Sequence, residues 1–202
     1  MIVLLIKISE VVMSNAITVD QKQVDDVVRL LNGVKTDATV ALMRSLNRTA
    51  AGAKIAAAKG VGGVVTMKAK EIKSYIRVSK AKKDHLSSSI HLKQKLTPAI
   101  VFTNRQLKKG ISLKIYKAGS SIKLKHDFYA TMNSGHRGIF RRAEISPGVY
   151  AGRLPIIERF GPSVGAVYEK TPGLSSKIEA ESSERLLREV DSQVNAILNR
   201  YA

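Results

Sequence analysis

The hydrophobic period of this sequence changes twice along the chain, and that change constrains the fold more than any other feature. Apolar residues first recur every three or four positions, as on one face of a helix. They alternate with polar residues between about residues 89 and 126, and return to helical spacing after about residue 174. Helices, then strands, then a helix predict an α+β fold, with helices packed on one face of an antiparallel sheet and a long C-terminal helix.

The first part of the chain predicts three helices. The first covers residues 20–31. An alanine-rich second helix begins at Thr36 or Asp37 and ends by Gly60, after which Gly62 and Gly63 supply a flexible joint. A short third helix is capped by Thr66 and reaches residue 76.

The middle of the chain predicts half-buried antiparallel strands that carry lysine on the exposed face. A hairpin loop over residues 118–121 separates the last two strands. The predicted strands are residues 89–93, 98–102, 111–115 and 122–126. Ile139–Arg142 follows a glycine-rich loop and is predicted to be extended as well.

The segment Met1–Val12 is apolar, but Lys7 and Glu10 interrupt it. It is shorter than the roughly 20 residues that span a bilayer, so we expect a soluble protein with no membrane partner. A short strand, a docking arm or a translation start at Met13 would each account for this segment. The predicted organisation is an N-terminal arm or extension over residues 1–15 and a single α+β domain over residues 16–202.

The charge of the chain is strongly unbalanced, with 34 Lys and Arg against 16 Asp and Glu, a net charge of +18. Between Lys68 and Lys125, 16 basic residues face only two acidic ones, so this block carries +14. Such a block suits DNA without sequence specificity or an acidic protein, and it also suits strands protected against edge-to-edge aggregation. The candidate contacts are Lys82, Lys83, Lys108, Lys109, Lys114, Lys123, Arg137, Arg141 and Arg142.

The chemistry-bearing residues do not form a catalytic or metal-binding pattern. The sequence has no cysteine, and its four histidines are scattered without ligand spacing. Its few central carboxylates are widely spaced, unlike those of a metal-dependent nuclease. We therefore expect no enzyme activity, no cofactor and no bound metal.

The most distinctive run is Gly152–Val164, in which two prolines and two glycines surround an apolar strand. Phe160 lies on its Gly-Pro turn, where an aromatic side chain is either a lid on the core or an interface anchor.

Four segments of the chain are similar to a known family. They are residues 46–54 (LNRTAAGAK), 67–72 (MKAKEI), 152–157 (GRLPII) and 160–164 (FGPSV). Their order and the basic character of the chain resemble the bacteriophage minor tail protein Z (tail completion) family. The resemblance extends from Val40 to Val164.

This resemblance implies a structural virion protein, made in the host cytoplasm, that completes the head-proximal end of the tail or forms part of the head–tail junction (neck). Proteins of that region commonly form rings, often hexameric, so the partners would be further copies, adjoining tail and neck proteins and, as one alternative, the genomic DNA end. The family offers no catalytic residues. The expected subunit or partner contacts are Asn47, Arg48, Arg153, Leu154, Pro155, Phe160, Gly161, Pro162 and Ser163.

Two points stay open from the sequence. The side chains of Asn47 and Arg48 either bond a neighbouring strand or subunit or are merely solvated. The rival function is that of a free, non-specific DNA-binding protein, favoured by the basic block.

Overall fold

The long helices lie near the beginning and at the end of the described chain. The computed structural model describes residues 15–18, 35–150, 152 and 155–201. The predicted helix over residues 20–31 and the segment Met1–Val12 lie outside these residues. The helices are α1 (Lys35–Val64), α2 (Ala69–Ser74), α3 (Val164–Lys170) and α4 (Leu174–Tyr201).

The strands are short and mostly paired with near neighbours in sequence. They are β1 (Asn15–Thr18), β2 (Ile76–Ser79), β3 (Ser87–Leu92), β4 (Thr97–Pro98), β5 (Thr103–Leu107), β6 (Gly110–Lys114), β7 (Ile122–Leu124), β8 (Asp127–Thr131), β9 (Arg137–Arg142), β10 (Glu144–Ser146), β11 (Val149–Tyr150), β12 (Ile156–Glu158) and β13 (Phe160–Gly161).

Antiparallel pairing divides these described strands into five small sheets. Three sheets have three strands, in the orders β1-β3-β2, β5-β6-β7 and β12-β9-β8; β4 pairs with β13 and β10 with β11. The predicted α+β class and the long C-terminal helix are confirmed.

The chain divides into two compact units. Unit 1 comprises the described parts of Met1–Ala58, Ile76–Leu92 and Pro172–Ala202, and unit 2 comprises those of Lys59–Tyr75 and Lys93–Thr171. The single domain over residues 16–202 stays a prediction.

The core of unit 1 forms where α1, α4 and the segment after β2 meet. Leu42 and Leu46 of α1 are buried with Ala81 and with Leu186 of α4. Gly52 allows a close approach in this unit, because a Cβ there would lie 2.5 Å from Nη1 of Arg185. The alanines of α1 have the same effect, since small side chains let packed elements come near the helix backbone.

The core of unit 2 is centred on β9, the middle strand of its sheet. Ile139 and Phe140 of this strand are both buried, on opposite faces. Gly161 is buried against Phe102, where a Cβ would lie 2.6 Å from a ring carbon. Ser163 then begins α3 by accepting a hydrogen bond from the Ala166 amide at 3.0 Å.

Helix α1 does not end at Gly60, as the sequence predicts, but continues through Gly62 and Gly63 to Val64. Each glycine costs a helix about 1 kcal/mol relative to alanine. Burial of Val61 and Val65 offsets this cost, since both side chains are almost fully removed from water. The predicted flexible joint is therefore wrong.

Thr66 does not cap the next helix. Its hydroxyl instead bonds the main-chain carbonyl of Lys114, at the end of β6. Helix α2 begins later, at Ala69, and Lys68 at its N-cap position gives no side-chain cap.

The predicted strand over residues 98–102 is also wrong. Thr97–Pro98 forms a two-residue strand, and Ala99–Val101 forms a turn of 3-10 helix. A strand would place residues 99 and 102 on opposite faces, whereas three-residue helical spacing superimposes them. The turn thereby buries both Ala99 and Phe102.

The sequence predicts alternating buried and exposed side chains in both strands of the 118–121 hairpin, but only one strand shows this alternation. In β6, Ile111 and Leu113 are buried. In β7, an edge strand, Ile122 is exposed and Leu124 is half-buried.

Replacing the central isoleucine of unit 2 should test this core. Ile139→Ala removes three buried carbons from a fully buried side chain and should lower the free energy of unfolding by about 2–5 kcal/mol. The matched control is Ile122→Ala, at a residue that is 55% exposed, which should change it by less than about 0.5 kcal/mol. Chemical denaturation measures both, and equal losses would contradict the placement of the core.

Candidate functional site

Asn47 of α1 holds the segment that follows β2. Its Oδ1 accepts a hydrogen bond from the Ala81 amide at 2.8 Å, and its Nδ2 donates to the Ala81 carbonyl at 3.1 Å. One side-chain amide thus satisfies both main-chain groups of a buried residue, as a neighbouring strand would.

Arg48 joins the two long helices of unit 1. Its guanidinium donates to Oε2 of Glu189 at 3.3 Å, and Arg185 approaches the other oxygen of that carboxylate at 3.7 Å. Because the Arg48 side chain is exposed, this ion pair adds little stability. Asn47, Arg48 and Gly52 of the 46–54 segment all make contacts within unit 1.

The 152–164 segment of unit 2 mixes buried and exposed residues. Gly161 and Ser163 are buried, Pro162 is half-buried, and Pro155 and Phe160 are exposed. Arg153 and Leu154 lie outside the described residues. Phe160 is 44% exposed, which is compatible with an interface anchor and with a partial lid. The assignment of these residues to an interface stays a prediction.

The lysines predicted to meet a polyanion are placed in both units. Lys82 and Lys83 are exposed in unit 1, within the connection between β2 and β3. In unit 2, Lys108 and Lys109 are exposed at the β5–β6 turn, Lys123 is exposed on β7 and Lys114 is half-buried on β6. The unit 2 lysines share the β5-β6-β7 sheet.

The predicted arginines lie on a different sheet of unit 2, and they do not share one face. Arg141 and Arg142 are consecutive residues of β9, so strand geometry points them to opposite faces. Arg137 lies on the Arg141 face, with its guanidinium 5.8 Å from the centre of the Tyr129 ring. Arg142 is exposed on the other face.

A third arginine, Arg159, lies on the same face of the sheet as Arg137 and Arg141. It was not singled out from the sequence. Arg159 follows β12, and its amide donates to the Ile139 carbonyl at 2.8 Å, which continues the pairing with β9. Its Nε donates to Oδ2 of the buried Asp127 at 2.8 Å. We call Arg137, Arg141 and Arg159 the arginine face. The alternation of side chains along a strand at residues 156–159 could have indicated that Arg159 and Ile157 share a face. Nothing in the sequence indicated that Arg159 pairs with Asp127, 32 residues away.

The opposite face of this sheet carries a second polar contact. Nε2 of His136 lies 2.9 Å from Oε1 of Glu158, and the imidazole meets the Phe140 ring edge-on. Gly138 makes room for the Glu158 carboxylate and the Phe140 ring, since a Cβ at this position would lie 2.8 Å from Oε1 of Glu158.

The described residues offer no metal-binding group of three or more His, Cys, Asp or Glu.

Burial, with a smaller effect of the nearby Glu71 carboxylate, raises the pKa of the Tyr75 phenol. This shift favours the protonated, neutral form of the Tyr75 phenol. No helix in the described part of the chain is long and apolar enough to cross a membrane.

Comparison with known families decides the assignment. The sequence model of the family described as prophage minor tail protein Z (GPZ) matches residues 21–200. The chain belongs to this family. Minor tail protein Z is a structural protein of the phage tail, so this member is a virion protein whose partners include other tail proteins. No curated protein and no solved structure matches the chain.

The hydrogen bonds of Asn47 predict that its loss destabilises the protein, whereas the loss of an exposed asparagine does not. Asn47→Ala leaves both main-chain groups of Ala81 without these partners and should lower the free energy of unfolding by about 1–3 kcal/mol. Asn195→Ala, at an exposed position of α4, removes the same amide and should have an effect within about 0.5 kcal/mol. Thermal or chemical denaturation of both variants makes the comparison. If Asn47→Ala leaves the free energy of unfolding unchanged, Asn47 does not hold the segment that contains Ala81.

Proposed function

We propose that this minor tail protein Z family member completes the head-proximal end of the tail or forms part of the head–tail junction, as a homo-oligomeric ring that can be a hexamer. It acts as a structural component and not as a catalyst. Family membership supports the tail role, and the position in the neck and the ring are our inference from it.

Exposed apolar side chains of unit 2 are the observation that supports assembly. Ile145, Val149, Ile157 and Phe160 are each 44–72% exposed in a chain of net charge +18. Apolar side chains exposed in this way are available for burial against another subunit, which would remove them from water. A closed ring needs two different surfaces that fit each other, and the 152–164 segment of unit 2 supplies residues for one of them.

The exposed lysines of unit 2 give the ring a second kind of contact. Lys108, Lys109 and Lys123 would face either the genomic DNA end or an adjoining acidic protein. The DNA contact would be independent of sequence, because lysine acts as a point charge and lacks the bidentate geometry of arginine.

Particle composition and oligomeric state test this proposal. Mass spectrometry of purified phage particles should detect the protein, and electron microscopy of particles lacking it should show unjoined heads and tails or unfinished tails. Native mass spectrometry of the protein with its tail partners should show a closed oligomer. Its absence from the particles would refute the tail position, and a persistent monomer under these conditions would refute the ring.

Phe160 provides a specific test of the ring surface. Phe160→Ala should weaken self-association at least tenfold while leaving the melting temperature nearly unchanged, because this side chain is 44% exposed. Leu187→Ala is the control, since Leu187 of α4 is 42% exposed and lies outside the proposed surface. Sedimentation measures both variants. If Leu187→Ala weakens association as much as Phe160→Ala, the 152–164 segment is not the specific contact.

A free, non-specific DNA-binding protein is the alternative, favoured by the exposed lysines. The two functions predict different salt responses for a duplex DNA probe. The structural role predicts weak binding that saturates only at low salt. Nanomolar affinity at about 150 mM salt, with a steep salt dependence, would instead favour the alternative.

A further inference from the structure

One carboxylate on the arginine face stands beside more than one guanidinium. Asp127 of β8 lies directly opposite Arg141 of β9 in the register of the sheet. However, Asp127 bonds Arg159 instead, with Nε at 2.8 Å from Oδ2 and Nη2 at 3.4 Å from Oδ1. With Arg137, the face holds three guanidinium groups and one carboxylate, which leaves an excess of positive charge.

The guanidinium of Arg141 pairs with no carboxylate of the described residues. Its Nε is buried and makes no hydrogen bond among the described residues. A buried donor without an acceptor costs free energy, and more so when the group is charged. The residue as a whole is only half-buried, so an acceptor from outside the chain can reach the terminal amino groups of the Arg141 guanidinium although Nε stays covered. A carboxylate there would neutralise the guanidinium and offset part of this cost.

The chemistry of that acceptor follows from the guanidinium. Its planar fork of donors suits a carboxylate or a phosphate, each of which offers two oxygens. We propose that the arginine face receives, at Arg141, the carboxylate of an acidic side chain on a different protein of the tail. This inference rests on the proposed tail function and names the chemistry of one partner.

A protein carboxylate fits the surroundings better than the phosphates of DNA. Exposed Ile157 lies opposite Arg141 in the register of β12 and β9, so an apolar side chain flanks the guanidinium. A half-buried arginine beside apolar surface is typical of protein interfaces. DNA would instead require a row of exposed cations, whereas on this face Arg159 is already paired and Arg137 stacks on Tyr129.

A different protein fits better than a second copy of this chain. The chain has only 16 acidic residues against 34 basic ones, and several of the described carboxylates are already occupied. Those of Asp127, Glu184 and Glu189 lie in ion pairs with residues of the same unit, and that of Glu158 lies 2.9 Å from the His136 imidazole. The net charge of +18 would in addition attract an acidic protein.

The binding test uses two labelled probes, a hexaglutamate peptide and a 20-base-pair DNA duplex, with fluorescence anisotropy of the full-length protein. Arg141→Gln should weaken peptide binding about tenfold, because it removes a charged hydrogen-bonding group. Arg141→Lys should weaken it similarly although the charge is kept, because lysine lacks the fork and Nε. The control is Arg142→Gln, which removes the same charge from the adjacent residue. The sequence alone predicts Arg142 as a contact too, but it lies on the opposite face of β9, so the proposal expects this variant to change affinity less than twofold.

The melting temperature of each variant shows whether it is folded, and Arg141→Lys retains the long side chain should Arg141→Gln fail to fold. Equal effects of Arg141→Gln and Arg142→Gln on the peptide would overturn the proposal, because they would indicate general charge attraction. A loss of DNA binding with peptide binding retained would overturn it in favour of phosphate. A loss of self-association in Arg141→Gln alone would overturn it in favour of a second copy.

Particle incorporation separates this inference from the proposed function. A phage that lacks the gene is complemented with the wild-type protein, Arg141→Lys or Arg142→Gln, and the protein content of purified particles is measured. We expect reduced incorporation of Arg141→Lys alone. If all three proteins are incorporated equally, the arginine face is not the contact, although the tail function stands. If the wild-type protein is absent from the particles, the tail function itself is refuted.

Discussion

The ion pair between Arg159 and Asp127 is the contact on which the arrangement of unit 2 depends. It crosses the sheet, because Asp127 belongs to β8 and Arg159 follows β12, with β9 between them. The main chain of Arg159 continues the connection, since its amide bonds Ile139 and its carbonyl accepts from Ala99 at 2.9 Å. One residue therefore fixes the end of the sheet and the start of the 3-10 turn.

The consequences extend to the most distinctive run of the sequence. Phe160 and Gly161 pair with Thr97 and Pro98 immediately after Arg159, and Gly161 accommodates the Phe102 ring. Ser163 can then cap α3. A buried ion pair is a weak source of net stability, but removing one partner is costly because it leaves a buried charge. The pair therefore acts mainly by fixing the geometry of residues 156–164.

Features set by local pattern were predictable, and features set by distant partners were not. The long helices and the β6–β7 hairpin follow from hydrophobic period and turn residues, which act within a few positions. The end of α1 was mispredicted because glycine propensity is outweighed by burial of Val61 and Val65, and that burial depends on residues far along the chain. Arg159 was missed for the same reason: its role depends on Asp127. The separation of Arg141 from Arg142 was predictable, because alternation along a strand requires it.

Residues of the 46–54 segment, which resembles the family, make their contacts within unit 1. Asn47 bonds Ala81, Arg48 bonds Glu189, and Gly52 gives room to Arg185, so these residues already have roles inside unit 1. A residue whose hydrogen bonds are satisfied within the chain gains little from a partner, because a new contact would first have to break an old one. Contact energy is instead available where a group is exposed or lacks an acceptor, as at Phe160 and Arg141. The side chains of the 46–54 segment therefore offer less contact energy to a partner than Phe160 of the 160–164 segment or Arg141.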